Sequence, residues 1–185
     1  MGSVNFVAVS GAVVSRDMRR VFSGPLSARE FSLPASSRVV EKSAFEMVCG
    51  PRGVSVVVCP SGLREISDNA FFCCESLQKI VFGGNSLLER IGEQAFSQSG
   101  LRKFVAPAAL RVIGRAAFHL CRELRTVALD EALEKVGQKC FAGTQIESVR
   151  VQKLVRELPT DVFLDCVNLT TVEFAENSCL RRVGT

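Results

Sequence analysis

The fold of this chain is decided by residues 63–82, LREISDNAFFCCESLQKIVF, because similar stretches follow at a near-constant interval. The later copies are LLERIGEQAFSQSGLRKFVA at 87–106, LRVIGRAAFHLCRELRTVAL at 110–129, LEKVGQKCFAGTQIESVRV at 133–151 and VRELPTDVFLDCVNLTTVEF at 155–174. One phenylalanine recurs every 22 to 26 residues, at Phe22, Phe45, Phe71, Phe96, Phe118, Phe141 and Phe163. A period of this length is typical of one coil of a solenoid, whose apolar side is buried only when neighbouring coils stack on it.

Fixed apolar columns surround each phenylalanine, with apolar residues eight and five before it and a Cys, Ser or Thr three after it. Two apolar residues separated by one variable residue then follow, which is typical of a short strand with one buried face. These pairs are Ile80 and Phe82, Phe104 and Ala106, Val127 and Leu129, Val149 and Val151, and Val172 and Phe174. The same spacing adds Val57 with Cys59, Phe31 with Leu33 in the coil of Phe22, and a strand around Val7 to Val9.

The repeat predicts a single domain over residues 1–185. Coils within about 1–60 are degenerate, with Asp17 in the column where Ile is expected before Phe22. Regular coils cover about 61–175, and residues 176–185 begin a truncated final coil with no polar cap in view. A glycine follows the first apolar columns of several coils, where we expect a turn with positive φ. These glycines are Gly92, Gly114, Gly137 and Gly184.

The eight cysteines match neither paired C-x-x-C spacing nor a zinc-ligand grouping. Because Cys74, Cys121 and Cys166 occupy one apolar column, we expect them to be reduced and buried. The chain is 47% hydrophobic, which excludes disorder, yet no apolar run is long enough to span a bilayer. Its net charge of +4 is mild and acidic residues are interspersed, so a nucleic-acid surface is not indicated. Residues 4–14 are apolar but follow no Lys or Arg, and suit a strand at least as well as an export signal.

Catalytic and metal-binding groups are sparse. His119 is the single histidine and is expected at the surface. Asp161 and Asp165 flank Phe163, and Glu65 lies close to Asp68, but no repeated Asp column supplies the roughly six to eight oxygens that Ca²⁺ prefers. We therefore expect no enzyme activity, no cofactor and no metal site.

The string I-G-x-x-A-F-x-x-C-x-x-L-x-x-[IV]-x-[FLV] resembles the BspA-like leucine-rich repeat family. It is carried by Ile113, Gly114, Ala117, Phe118, Cys121, Leu124, Val127 and Leu129, and likewise in the other coils. The resemblance implies a β-rich leucine-rich-repeat solenoid with a right-handed coil, a parallel concave sheet of seven to eight short strands, and convex turns with short 3-10 or helical pieces. It also implies an adhesion or protein-interaction molecule without catalytic apparatus, and suggests a cell-surface or secreted location.

Function in a solenoid is expected on the concave sheet, in the residues that alternate with the buried ones. A contiguous apolar stripe of valines is expected there because adjacent strands lie about 4.8 Å apart, although β-propensity alone could also place Val at such positions. The expected partner-binding residues are Val56, Val58, Lys79, Val81, Lys103, Val105, Thr126, Ala128, Arg150 and Glu173.

Two hypotheses of function follow from this sequence. The first is a non-enzymatic protein-protein interaction or adhesion module that binds a host protein, or a second copy of itself as a homo-oligomer, through the concave face. The second is a structural array that assembles end to end through an uncapped C-terminal coil. Neither hypothesis requires nucleic acid or a membrane span.

Overall fold

A computed structural model describes residues 6–25, 28–46 and 53–184. Residues 4 and 5 of the apolar N-terminal segment lie outside this range. The described strands are β1 Phe6–Val9, β2 Ala12–Ser15, β3 Arg20–Ser23, β4 Glu30–Ser32, β5 Val39–Val40, β6 Val56–Cys59, β7 Glu65–Ile66, β8 Lys79–Phe82, β9 Arg90–Ile91, β10 Lys103–Val105, β11 Val112–Ile113, β12 Thr126–Ala128, β13 Lys135–Val136, β14 Ser148–Val151, β15 Glu157–Leu158, β16 Thr171–Phe174 and β17 Arg182–Val183. Among these residues, no helix has the length and apolar character needed to cross a membrane.

Each regular coil contributes two strands to two parallel ladders. A two-residue strand precedes the core phenylalanine, and β5, β7, β9, β11 and β13 continue one eight-stranded sheet that begins with β1, β2 and β3. A strand of three or four residues follows the phenylalanine, and these longer strands pair as β4-β6-β8, β10-β12 and β14-β16. The predicted parallel β-solenoid is confirmed. A second ladder of very short strands stands where the sequence predicted turns.

A stack of phenylalanine rings runs through the core. Consecutive rings from Phe45 to Phe163 have centroids 4.5 to 6.1 Å apart and interplanar angles of 3 to 24°. The rings of Phe71, Phe96 and Phe118 are completely buried among the predicted Leu, Ile and Val columns. Each coil therefore buries its ring only through the coils on either side, as nearest-neighbour stacking requires.

The prediction that Phe22 is a core-column residue is wrong. Val21 pairs with Val40, which pairs with Ile66, so Val21 takes the apolar column that the sequence had placed at Asp17. The ring of Phe22 is half-buried and meets Phe6 edge to face, with centroids 4.9 Å apart. Adjacent apolar residues in a strand allow two alignments that differ by one residue, and only strand pairing distinguishes them.

The strand expected around Val7 to Val9 is present but does not form another parallel coil. It pairs antiparallel with β2, through Val7 opposite Val14, and β2 pairs antiparallel with β3. These three strands extend the ladder of two-residue strands rather than the ladder of longer strands. The first described coil is therefore covered by an antiparallel meander.

The expectation of positive φ at the repeated glycines is also wrong. Gly92, Gly114, Gly137 and Gly184 are not among the described residues with positive φ. A Cβ atom on Gly114 would lie 2.5 Å from the carbonyl carbon of Gly92 in the preceding coil. Glycine is required here because successive backbones approach too closely for a side chain. Left-handed backbone occurs instead two residues before and after the core ring, as at Asn69 and Cys73 with φ of 55° and 54°.

The cysteine column is only partly as predicted. Cys121 is a free, completely buried thiol whose Sγ donates to the carbonyl of Phe96 at 2.9 Å, and burial raises its pKa to about 11. Cys166 is free but only half-buried, because the following described coil covers it incompletely. Cys74 is buried, but it is disulfide-bonded, so the prediction of a reduced thiol is wrong there. A column pattern reports burial, and the oxidation state depends on a partner from outside the column.

Candidate functional site

The outward residues of the longer strands lie on one side of the solenoid, which we call the long-strand face. In β6, β12 and β14 the inward Val57, Val127 and Val149 are buried, whereas the residues beside them are exposed or half-buried. The alternation predicted from the sequence is therefore correct. All ten predicted residues project from this face: Val56, Val58, Lys79, Val81, Lys103, Val105, Thr126, Ala128, Arg150 and Glu173.

Strand pairing brings some of these residues side by side. Val58 lies opposite Val81, Val105 opposite Ala128, and Arg150 opposite Glu173. The stripe of valines is not continuous, however, because β8 and β10 form no ladder. Val81 is half-buried on one side of this break, and Val105 on the other side is 51% exposed.

Two breaks in the long-strand face follow from turn length. The first inward residue of β8 and of β12 lies nine residues after its core phenylalanine (Phe71 to Ile80, Phe118 to Val127), as does that of β16. In β10 and β14 the interval is eight (Phe96 to Phe104, Phe141 to Val149). These two strands are the ones that do not pair with the strand before them. A turn one residue shorter starts the strand in a different place and disrupts the parallel ladder, because ladder bonds require equal register.

The first break opens a cleft in the long-strand face. A cavity of about 510 Å³ is lined by Gln78, Lys79, Ile80, Arg102, Lys103 and Val105. A second hollow of about 370 Å³ shares Lys79, Ile80 and Val105 and extends to Phe82, Gly83 and Ala106–Ala108. Ile80 and Phe82 are inward residues by pattern, yet both remain half-buried. The splayed strands thus expose apolar surface that other coils bury.

The second break is bridged rather than open. Gln152 is buried, and its Nε2 donates a 2.7 Å hydrogen bond to the carbonyl of Leu129 in the preceding coil. No residue of the cleft makes a comparable bridge from β10 to β8 among the side-chain hydrogen bonds of the described chain. The first break is therefore the one with accessible apolar surface.

Charge is distributed differently on the two ladders. On the side of the two-residue strands, Arg and Glu of successive coils form ion pairs, such as Arg64 with Glu89 at 2.7 Å and Arg111 with Glu134 at 2.7 Å. On the long-strand face, Lys79, Arg102 and Lys103 take part in no ion pair within the described ranges. The centre of this face therefore carries positive charge that no neighbouring carboxylate neutralises.

Groups considered for catalysis or metal binding have ordinary structural environments. His119 is half-buried, and burial followed by the charge of Lys139 lowers its pKa. Asp161 pairs with Lys139 at 3.8 Å, and Oδ1 of Asp68 accepts a 2.7 Å bond from the backbone of Glu93. Within residues 6–25, 28–46 and 53–184, no group of three or more His, Cys, Asp or Glu residues could hold a metal ion.

The largest cavity, about 780 Å³, lies away from the long-strand face, along β13 and β15. Its lining includes Glu134, Lys135, Arg156 and Glu157, so both charges are represented. Glu134 and Glu157 already pair with Arg111 and Arg182. Because its charges are balanced and partly paired, this groove has less unsatisfied binding potential than the smaller cleft.

Stacked coils with a phenylalanine core, close glycine contacts and an outward strand ladder define a leucine-rich-repeat solenoid. The chain belongs to the BspA type leucine rich repeat family, whose sequence profile matches residues 18–99 and 89–183 in six copies. The resemblance noted from the sequence is therefore confirmed. A comparison with curated protein sequences found no significant match.

Several solved structures share this fold. A leucine rich repeat protein of T. pallidum is 25% identical, with a TM-score of 0.79 over 94% of this chain and 82% of that one. A leucine rich cell surface protein of Faecalibacterium prausnitzii is 19% identical, with a TM-score of 0.65, covering 96% of this chain and 56% of that one. The pneumococcal vaccine antigen PcpA is 18% identical, with a TM-score of 0.63, over 98% of this chain and 67% of that one. This chain thus spans little more than half of the Faecalibacterium protein.

The sequence analysis did not identify the cleft or Arg102 as part of the candidate surface. Arg102 immediately precedes β10 and lines the cavity beside Lys79 and Lys103. The eight-residue turn after Phe96 was present in the sequence and could have indicated the break. The width of the resulting opening depends on how the neighbouring coils stack.

Proposed function

We propose that this chain is a non-enzymatic protein-binding module that uses the long-strand face. One observation carries the proposal: half-exposed apolar side chains and cations without ion-pair partners lie together on this face, whereas the ladder of two-residue strands pairs its charges. Exposed apolar surface beside unsatisfied charge is typical of protein contact sites. Membership in a repeat family that generally mediates protein interactions supports the same function.

Adhesion at a cell surface is the specific form of binding that we propose. The Faecalibacterium protein with the same fold is described as a leucine rich cell surface protein. A host protein and a second copy of this chain are both suitable partners for an apolar stripe flanked by charge. In a symmetric pair, Lys79 or Lys103 of one copy would lie near Glu173 of the other.

The test uses a displayed random-peptide library selected against the immobilised chain, and then measures the selected binders on variants. Val81→Glu with Val105→Glu should weaken the selected binders by tenfold or more, to order of magnitude, because two charges enter the apolar contact. Leu164→Glu with Val167→Glu is the matched control, since both residues are exposed apolar positions away from this face, at 45% and 79% exposure. Binders that are unaffected by the first pair would contradict the proposal.

Sedimentation of the same variants tests self-association. If copies pair through the long-strand face, the Val81 and Val105 double variant sediments as a monomer at concentrations where the wild type forms a dimer. Far-UV circular dichroism must remain unchanged, because outward residues contribute little to core packing. Unfolding of the double variant would mean that these valines point inward.

End-to-end assembly is a second candidate function, favoured by the exposed inward column of the last coil. Val172 and Phe174 continue the core columns but are 37% and 50% exposed. A second copy stacked on β16 would cover them. Phe174→Glu should then abolish concentration-dependent sedimentation while the Val81 and Val105 double variant retains it, and the reverse pattern would contradict this alternative.

A further inference from the structure

The cleft between β8 and β10 has one wall chemistry at each end. Lys79, Arg102 and Lys103 gather where the strands begin. Toward the ends of the strands, the lining is Val81, Phe82, Gly83 and Ala106–Ala108, without a charged group. Neither hollow includes an Asp or Glu among its lining residues. The trough therefore passes from a cationic end to an apolar end.

We propose that this cleft binds an acidic peptide segment in extended conformation, with carboxylates at the cationic end and one large apolar side chain inserted over Ile80. This inference rests on the proposed protein-binding function and specifies its partner. The charge complementarity follows from three cations that have no ion-pair partner in the described chain. The apolar anchor follows from Ile80, an inward residue that the splayed strands leave half-buried.

The dimensions of the cleft fit such a segment. From Gln78 to Phe82 the trough follows five residues of strand, which corresponds to roughly 13 Å and to about four residues of extended peptide. The volume of about 510 Å³ lies within the range of roughly 300 to 1,000 Å³ that is common for pockets enclosing a ligand. The trough thus has room for a large aliphatic or aromatic side chain.

The cleft is held open by the coil that forms it. The backbone contact between the starts of the two strands is a long hydrogen bond, from the amide of Arg102 to the carbonyl of Gln78 at 3.4 Å. Behind the opening, Phe104 is completely buried and meets Phe82 edge to face, with centroids 6.3 Å apart. A fixed floor beneath an open cleft reduces the ordering cost of binding, because the receptor surface is already formed.

A peptide fits this chemistry better than a nucleic acid does. Single-stranded nucleic acids are held by cations together with exposed aromatic faces on which the bases stack. The floor here is aliphatic at Ile80 and Val105, and the nearby Phe82 is half-buried with its ring against Phe104. A phosphate chain would satisfy the lysines but would leave this apolar floor uncovered.

Fluorescence polarisation with labelled tetrapeptides tests the proposal directly. The probe Glu-Asp-Leu-Phe should bind, and binding should weaken as salt rises from low to high ionic strength, because exposed charges are screened. Two matched probes remove one component each: Gln-Asn-Leu-Phe lacks the carboxylates, and Glu-Asp-Ser-Gly lacks the apolar anchor. Both should bind at least about tenfold more weakly than the parent peptide.

Variants locate the binding. Lys79→Glu with Lys103→Glu should weaken the parent probe by about tenfold or more, because two attractions become repulsions. Arg122→Glu with Lys153→Glu is the charge-matched control, since both residues are exposed and lie outside the cleft. If the first pair perturbs folding by circular dichroism, Lys79→Gln with Lys103→Gln replaces it.

The outcomes separate this inference from the proposed function. An oligothymidine that binds more tightly than the peptide, with the same sensitivity to Lys79 and Lys103, would overturn the inference in favour of nucleic acid. Equal affinity for the parent and the uncharged probe would also overturn it. If library-selected binders depend on Val81 and Val105 but not on Lys79 and Lys103, the protein-binding function stands and the acidic-peptide cleft is refuted.

Discussion

Replacement of Phe118 by alanine tests the ring stack at the middle of the array. The ring is completely buried and lies between Phe96 at 5.3 Å and Phe141 at 5.5 Å, with Phe104 at 4.6 Å on a third side. Truncation therefore removes contacts to three rings, and the coils above and below cannot collapse fully onto the cavity. We expect Phe118→Ala to lower the free energy of unfolding by about 3 to 5 kcal/mol. This is a large fraction of the roughly 5 to 15 kcal/mol by which domains are usually stable.

The assay is urea unfolding followed by far-UV circular dichroism, since the chain has neither Trp nor Tyr to report by fluorescence. Because stability in a solenoid is a sum over neighbouring coils, the transition could also separate into two steps on either side of the cavity. Phe174→Ala is the matched control: its ring is 50% exposed, and we expect a loss below about 1 kcal/mol. Equal losses for the two variants, or a loss below about 1 kcal/mol for Phe118→Ala, would refute the stacked-ring core.

Three further predictions concern the coil contacts. Gly114→Ala should destabilise by about 1 to 3 kcal/mol in the same urea assay, because its Cβ would meet Gly92, whereas Gly84→Ala, with no atom within 4 Å, should be nearly neutral; similar effects would contradict the close-approach explanation. Thiol titration of the unfolded chain should give six reactive thiols before reduction and eight after it, and eight before reduction would argue against the disulfide at Cys74. Insertion of one Ser after Ser99 should restore the nine-residue turn, so that amides of β10 exchange hydrogen more slowly and the acidic probe no longer binds; unchanged exchange would refute the turn-length explanation.

The register of the central coils could be predicted because a repeat constrains every column several times. Ile66, Ile91 and Ile113 occupy one buried column, and the structure pairs them directly. The outward position of Val81 and Val105 followed from the same alternation. Where one copy departs from the pattern, as at Phe22, neighbouring copies gave no correction, and the antiparallel pairing of β2 with β3 decided the alignment.

The amino-acid sequence by itself determined the solenoid, its inward columns and the side on which a partner would bind, because the repeat period and the alternation of apolar residues act between adjacent coils. Tertiary structure alone decided the close approach of Gly114 to Gly92, the bonding of Cys74 and the opening above Ile80. These features depend on distances between residues more than 20 positions apart in the chain. A missing residue in one turn is visible in the sequence, but whether the strands then close, bridge through Gln152 or splay into a cleft is set by how the coils pack.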